Sequence, residues 1–260
     1  MDKLNNVQAD RYQRQIILSR VGEEGQKKLL SAKALIIGLG GLGSPAATYL
    51  AGAGVGKIGI ADATQVELSN LHRQTLYTAE NIGKDKALSA QKRLSAINSD
   101  IEVVAHKCTV DAHNIQDIIE EYDIIVDCSD NYTTRYLAND ACVLLGKPLV
   151  HGSVLAFEGH ALTILPNKGP CYRCLFSEIP PQGTLPTTAQ LGVFAPIAGI
   201  IGTIQAGEAV KYLLGIGDLL LGNLLVFNIL YSSYRQIKVI RNPQCPVCGE
   251  NPTITKLPQL

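Results

Sequence analysis

Hydrophobic positions along the chain fall into short runs set between longer mixed stretches. Residues 33–37, 57–61, 101–105 and 123–126 are four- or five-residue, predominantly apolar runs, the pattern of strands covered on both faces. Between and after them, 44–53, 84–98, about 111–120 and 132–145 have helical composition. The second of these offers Ala87, Leu88, Leu94 and Ile97 to one face. Gly146-Lys147-Pro148 stops the last of them, and 148–151 leads into a further strand. Strands alternating with helices predict βαβ units and a mostly parallel sheet. Beyond 151 the pattern changes. Residues 159–165, 223–228 and 234–240 read as antiparallel strands, separated by a Pro/Gly/Thr-rich loop at 177–190 and an apolar helix at 195–214. The segment 251–260 reads as a short surface tail. One continuous sheet carrying an appended module is the architecture this predicts.

The most apolar stretch, 191–230, is broken by Pro196, Gln205, Glu208, Lys211 and Asp218, so it predicts a buried helix and a strand, with no membrane partner. The first fifteen residues are polar and lack the apolar core of a secretory signal, which makes the cytoplasm the expected location. Lys plus Arg and Asp plus Glu both number 23; a net charge of zero argues against nucleic acid as a partner.

Gly38-Leu-Gly40-Gly41-Leu-Gly43 follows the first strand directly and opens a helix. Glycines there permit a tight turn and let backbone N–H groups approach a phosphate at a helix N-terminus. Asp62 ends the second strand, where a carboxylate can accept from ribose hydroxyls. The fold class is therefore α/β, with a Rossmann-like, mostly parallel sheet continued by antiparallel strands. The glycine turn alone does not separate a dinucleotide from ATP. The charged residues do: Arg73, Lys86 and the Asp127-Cys-Ser-Asp130-Asn131 segment fall where strand ends converge on one crevice. Hydride transfer needs no such cluster. A triphosphate does, with Arg and Lys neutralising its oxygens and a carboxylate such as Asp130 holding Mg²⁺.

Of seven cysteines, four form two pairs, Cys171-x-x-Cys174 and Cys245-x-x-Cys248. Four thiolates about 70 residues apart suit a closed tetrahedral Zn²⁺ site that leaves no position for water or substrate, hence a structural one. Neither pair is expected to open a helix in a βαβ unit, as a redox motif would. Cys108, Cys128 and Cys142 lie in apolar surroundings and read as packed thiols.

The chain resembles the ThiF/MoeB/HesA adenylyltransferases, relatives of the ubiquitin-activating enzymes. The resemblance runs from Arg11-Tyr-Gln-Arg14-Gln15 to Cys245-Pro-Val-Cys248-Gly249, through the glycine turn, Gly52-Ala-Gly-Val-Gly56, Ser69-Asn-Leu-His-Arg-Gln74, Asp127-Cys-Ser-Asp-Asn131 and Cys171-Tyr-Arg-Cys174. It implies one adenylation domain over 1–260: a helical arm (1–30), a nucleotide-binding half (31–150), and a half with antiparallel strands, crossover loop and zinc site (151–260). It also implies a homodimer that binds ATP. Asp62 holds the ribose; Ser69, Asn70 and Arg73 line the nucleotide site; Arg73 and Lys86 meet the phosphates; Asp130 binds Mg²⁺ with Asn131 beside it. Arg14 reaches across from the partner subunit to the triphosphate. The reaction implied is attack of a carboxylate on the α-phosphorus with loss of pyrophosphate.

Family members that form a covalent acyl–enzyme carry a cysteine in the loop before the apolar helix, where this chain has Thr188. A threonine hydroxyl without a base is a poor nucleophile, so adenylation without a thioester on this chain is expected. His72 stands where Gln is common and Asn228 where Asp is usual; His72, His151 and His160 read as structural. The substrate implied first is the C-terminal glycine of a ubiquitin-like sulfur-carrier protein of molybdopterin or thiamin type. A small-molecule carboxylate, such as the pyridinol acid of iron-guanylylpyridinol cofactor assembly, is the second, and a catalytically silent nucleotide-binding scaffold the third.

Overall fold

The computed structural model describes residues 4–181, 183–184 and 186–257. Gln182 and Leu185 of the expected loop, and the ends of the arm and of the tail, lie outside the described residues. Among the described residues eight strands form one sheet: β1 (Lys33–Ile37), β2 (Lys57–Ala61), β3 (Glu102–His106), β4 (Ile124–Asp127), β5 (Leu149–Leu155), β6 (Glu158–Ile164), β7 (Asn223–Asn228) and β8 (Ser233–Lys238). Their spatial order is β3-β2-β1-β4-β5-β6-β7-β8. The first five pair in parallel. From β5 onward every pairing is antiparallel. The continuous mixed sheet read from the sequence is present.

Among the described residues ten α-helices accompany the sheet: α1 (Asn6–Arg11), α2 (Gln13–Ile16), α3 (Gly22–Ser31), α4 (Gly43–Ala53), α5 (Lys86–Ile97), α6 (Ile115–Glu120), α7 (Tyr132–Leu144), α8 (Tyr172–Leu175), α9 (Thr188–Leu191) and α10 (Ala195–Leu214). One core lies on the sheet face that carries α4, α5 and α10; a second lies on the face that carries α6, α7 and the cysteine module. The polar residues inside α10 have definite partners. Gln205 donates to the carbonyl oxygens of Asp127 and Val150 at 2.7 and 3.3 Å. Glu208 accepts from Thr163 Oγ1 and the Leu220 N–H at 2.6 and 2.7 Å and is paired with Lys211. Among the described residues no helix is long and apolar enough to cross a membrane.

Several boundaries differ from the sequence reading. The helix expected from 111 begins at Ile115, because Asp111 forms a turn: its Oδ1 accepts from the N–H groups of His113 and Asn114. Strand β5 runs on to Leu155 where 148–151 was expected, since β6 pairs along its whole length. On α5 the buried face is Lys86, Ala87, Ala90 and Leu94, while Leu88 points to solvent. The tail is more than surface, for Ile254 and Leu257 pack on the second core.

Candidate active site

The C-terminal ends of β1, β2 and β4 converge on one cleft of roughly 250 Å³. After β1 the chain turns at Gly38, whose φ of +90° is open to glycine. Gly43 opens α4 hard against this turn: a Cβ there would lie 2.0 Å from the Gly38 carbonyl oxygen. The Asp62 carboxylate ties the turn to the end of β2, accepting the Leu39 N–H at 2.8 Å, the Thr64 N–H at 2.8 Å and the Thr64 hydroxyl at 2.6 Å.

Gly38, Gly40, Gly41, Asp62, Arg73, Lys86, Asp130 and Asn131 all line this cleft. The aliphatic stem of Arg73 lies 3.4–3.5 Å from where a Cβ on Gly41 would stand. Its Nη1 donates to the Ser69 carbonyl oxygen at 3.0 Å and approaches His72 Nε2 at 2.8 Å. Lys86 is only 8% exposed, and among the described residues no carboxylate pairs with its ammonium. Its side chain lines the cleft, so a cation without a fixed counter-charge is presented to whatever anion binds there. Asp130 is exposed at the rim, and Asn131 caps α7 by accepting the Thr134 N–H at 2.9 Å.

Three expected site residues lie behind the lining. Gly43 serves the packing just described. Asn70 and Ser69 build the 3₁₀ turn Leu68–Asn70: Asn70 Oδ1 accepts the Glu67 N–H at 3.1 Å, and the Ser69 carbonyl holds Arg73. They aim the arginine. Arg14 is exposed on α2 and does not line the cleft of its own chain.

Two further residues that the sequence reading did not assign line the cleft. Gln74 is 3% exposed, and its Oε1 has no partner among the described residues. Arg135 donates through Nη2 to the Ser129 carbonyl at 3.2 Å and lies over the Tyr132 ring, but its buried Nε is also unpartnered. Buried polar atoms are normally satisfied; orphans of both signs around a glycine turn fit a polar, anionic ligand such as ATP.

A larger cavity of about 830 Å³ adjoins the cleft and shares Asp130, Asn131, Arg135, Val154 and Thr188 with it. Tyr172, Phe176, Pro186 and Thr187 also line it. Thr188 opens α9 beside both spaces. His151 and His160 line the larger cavity too, a proximity hidden by sequence separation, although among the described residues neither bonds to Thr188.

The four paired cysteines come together, their sulfurs all within 4.8 Å of one another. Cys171–Cys245, Cys174–Cys248 and Cys171–Cys174 separations are 3.5, 3.4 and 4.0 Å; a tetrahedral zinc with bonds of about 2.3 Å spaces its sulfurs about 3.8 Å apart. Contacts with Cys171 and Cys248 pull the Cys174 thiol down, and contacts with Cys174 and Cys248 push Cys171 up. These sulfurs accept one negative charge and resist a second unless a cation lies among them. The first pair does open a helix, with Cys171 as the cap of α8, but α8 follows an antiparallel hairpin and lies outside any βαβ unit. Arg173 on α8 makes a two-pronged ion pair with Asp140 of α7, both contacts 2.7 Å. The module is thus fastened to the helix that Asn131 caps.

The sequence profile of the ThiF family matches residues 12–247. The sulfur carrier protein adenylyltransferase of Thermus thermophilus is 50% identical over 253 residues, 95% of this chain and 93% of that relative. The SAMP-activating enzyme E1 of Haloferax volcanii is 45% identical, over 95% of this chain and 91% of that protein. The adenylyltransferase and sulfurtransferase MOCS3 of Aedes aegypti is 48% identical, and there the chain spans 59% of the relative's length. Among solved structures, E. coli MccB with MccA-N7isoASN superposes with a TM-score of 0.81 at 25% identity, over 92% of this chain and 74% of that one. The chain belongs to the ThiF family, as an adenylyltransferase.

Proposed function

We propose that the chain uses Mg-ATP to adenylate the C-terminal glycine carboxylate of a ubiquitin-like sulfur-carrier protein, releasing pyrophosphate, as a cytoplasmic homodimer. The observation that carries this reading is that Lys86, which no carboxylate pairs among the described residues, and Arg73 line one cleft with the glycine turn. A polyphosphate is the counter-ion such a pair lacks. The adjoining cavity offers room for an acyl tail next to that phosphate site. The name of the Thermus relative points to a carrier protein.

In this reading a carboxylate oxygen attacks the α-phosphorus and the bond to the pyrophosphate oxygen breaks. The nucleophile is already ionised, so catalysis is positioning and charge neutralisation. Lys86 and Arg73 neutralise phosphate oxygens, and Arg14 of the second subunit adds a third positive charge. Asp130 is the residue to hold Mg²⁺, which supplies further neutralisation. Thr188 forms no ester intermediate. The four cysteines hold Zn²⁺ as a structural ion, and such a thiolate site, with three free thiols elsewhere, suits a reducing compartment.

The test is ATP–pyrophosphate exchange with purified protein. Exchange that requires an added carrier ending in Gly-Gly is expected. Exchange driven by a small acid alone would replace the carrier with a small-molecule substrate, and tight ATP binding without exchange would leave a silent scaffold. Asp130→Asn is expected to raise the magnesium concentration needed for half-maximal exchange; an unchanged magnesium titration counts against the assigned carboxylate. Chelation of the cysteine-bound metal is expected to lower the melting temperature by about 10 °C, with ATP affinity kept by the protein that stays folded. Equal melting curves before and after chelation would rule out the structural role.

A further inference from the structure

Asp127, at the end of β4, stands opposite His151 within the parallel strand β5. His151 Nδ1 lies 2.8 Å from one oxygen of the Asp127 carboxylate. The other oxygen accepts the Ser129 N–H and hydroxyl at 3.0 and 2.6 Å. Burial pushes the Asp127 carboxyl up, but the bond from His151, the nearby Arg135 and the bond from Ser129 outweigh it, so it is held below the usual carboxylate range. Burial also holds the His151 imidazole below its ordinary value, outweighing the pull of Asp127. An ionised carboxylate only accepts, so the neutral ring must carry its proton on Nδ1. The Nε2 lone pair is then an acceptor.

His151 is 2% exposed and forms part of the wall of the larger cavity. Its ring packs against Tyr172, centroids 4.7 Å apart. Among the described residues no group donates to Nε2. The wall around it includes Leu162, Tyr172 and Phe176. A fixed acceptor in a largely apolar wall calls for a ligand N–H or O–H. A bare carboxylate has no such donor, whereas an extended peptide presents one amide N–H per residue.

We infer that His151, held in place by Asp127, is a positioning residue for the acyl substrate, its Nε2 accepting an amide N–H of the peptide tail that carries the reacting carboxylate. This rests on the carrier reading above and narrows it to a tail with a free backbone N–H near its end.

The experiment measures exchange kinetics with carriers ending in Gly-Gly and with carriers in which either of the last two glycines is N-methylglycine. His151→Asn places its amide nitrogen where Nδ1 was, keeping the bond to Asp127 while removing the cavity acceptor. The carrier KM is expected to rise about tenfold in this variant, the effect of leaving one buried donor unpaired, with the KM for ATP unchanged. N-methylation at one of the two positions is expected to raise the carrier KM about tenfold with the unaltered enzyme and to add little with His151→Asn. His151→Gln, whose side-chain oxygen reaches toward the Nε2 position, is expected to recover much of the carrier KM while lowering the melting temperature through loss of the Asp127 bond. Full additivity of N-methylation and His151→Asn overturns the inference, as does an unchanged carrier KM in His151→Asn, while the carrier reading stands in both cases. Absence of carrier-driven exchange in the unaltered enzyme overturns both together.

Discussion

Lys86→Met is expected to slow carrier-driven exchange by about a hundred- to a thousandfold while leaving the melting temperature within a few degrees of the parent's. Both halves follow from where the side chain lies. Lys86 sits on the first turn of α5 with its residue buried beside Ala87 and Ala90, and among the described residues no carboxylate pairs with it. Its stem packs while its head lines the cleft, and methionine fills a similar volume without the charge. With ATP bound, the same ammonium meets phosphate oxygens whose charge moves in the transition state, so its loss falls mainly on kcat. Exchange and thermal unfolding on the same preparation check both halves. A variant that melts lower and exchanges normally would make Lys86 an ordinary structural residue and remove the chief support for a phosphate site.

The second large effect separates two glycines of the same turn. Gly43→Val is expected to destabilise the fold by about 4 kcal/mol or more, because its first side-chain carbon would meet the Gly38 carbonyl oxygen at 2.0 Å. The backbone cannot yield there without lifting α4 from β1. Gly40→Ala meets nothing closer than the Gln74 amide nitrogen at 3.7 Å, so the fold should keep nearly its full stability. Its methyl group would stand where phosphate oxygens approach the backbone, and ATP affinity is expected to fall by about tenfold or more. Denaturant midpoints and calorimetric titration with ATP distinguish the pair. If Gly43→Val unfolds at the same denaturant concentration as the parent, the close packing assigned to it is wrong.

The strands of the parallel half were readable because burial on both faces leaves unbroken apolar runs, which few other elements imitate. The cysteine pairs were readable because their spacing is short and chemically specific. The cleft lining was readable where a charged residue follows a strand end, as with Asp62 and Asp130. Gln74 and Arg135 carried no such mark: one polar residue beside an arginine, or on the first turn of a helix, looks like any solvated side chain. Ser69 and Asn70 were expected in the lining from the family resemblance, whereas they lie outside the cleft lining and their hydrogen bonds shape the turn that holds Arg73. His151 read as structural, and its bond to Asp127 agrees. Its place on a cavity wall depends on β5 pairing beside β4, a contact between residues 24 apart in sequence.

A sheet wound parallel on both sides of its centre has two phosphate-gripping ends and accommodates two joined nucleotides. Here the parallel order beyond β1 stops at β5, the chain reverses at 156–157, and β6 and β8 run the opposite way with β7 antiparallel to both, so the turn across from Gly38, from β4 into α7, carries Asp130 and no glycine. Only half of the symmetric cradle exists. The vacated half becomes a chamber walled by β5, β6 and α8, leaving one nucleotide on one side and space for its reaction partner on the other.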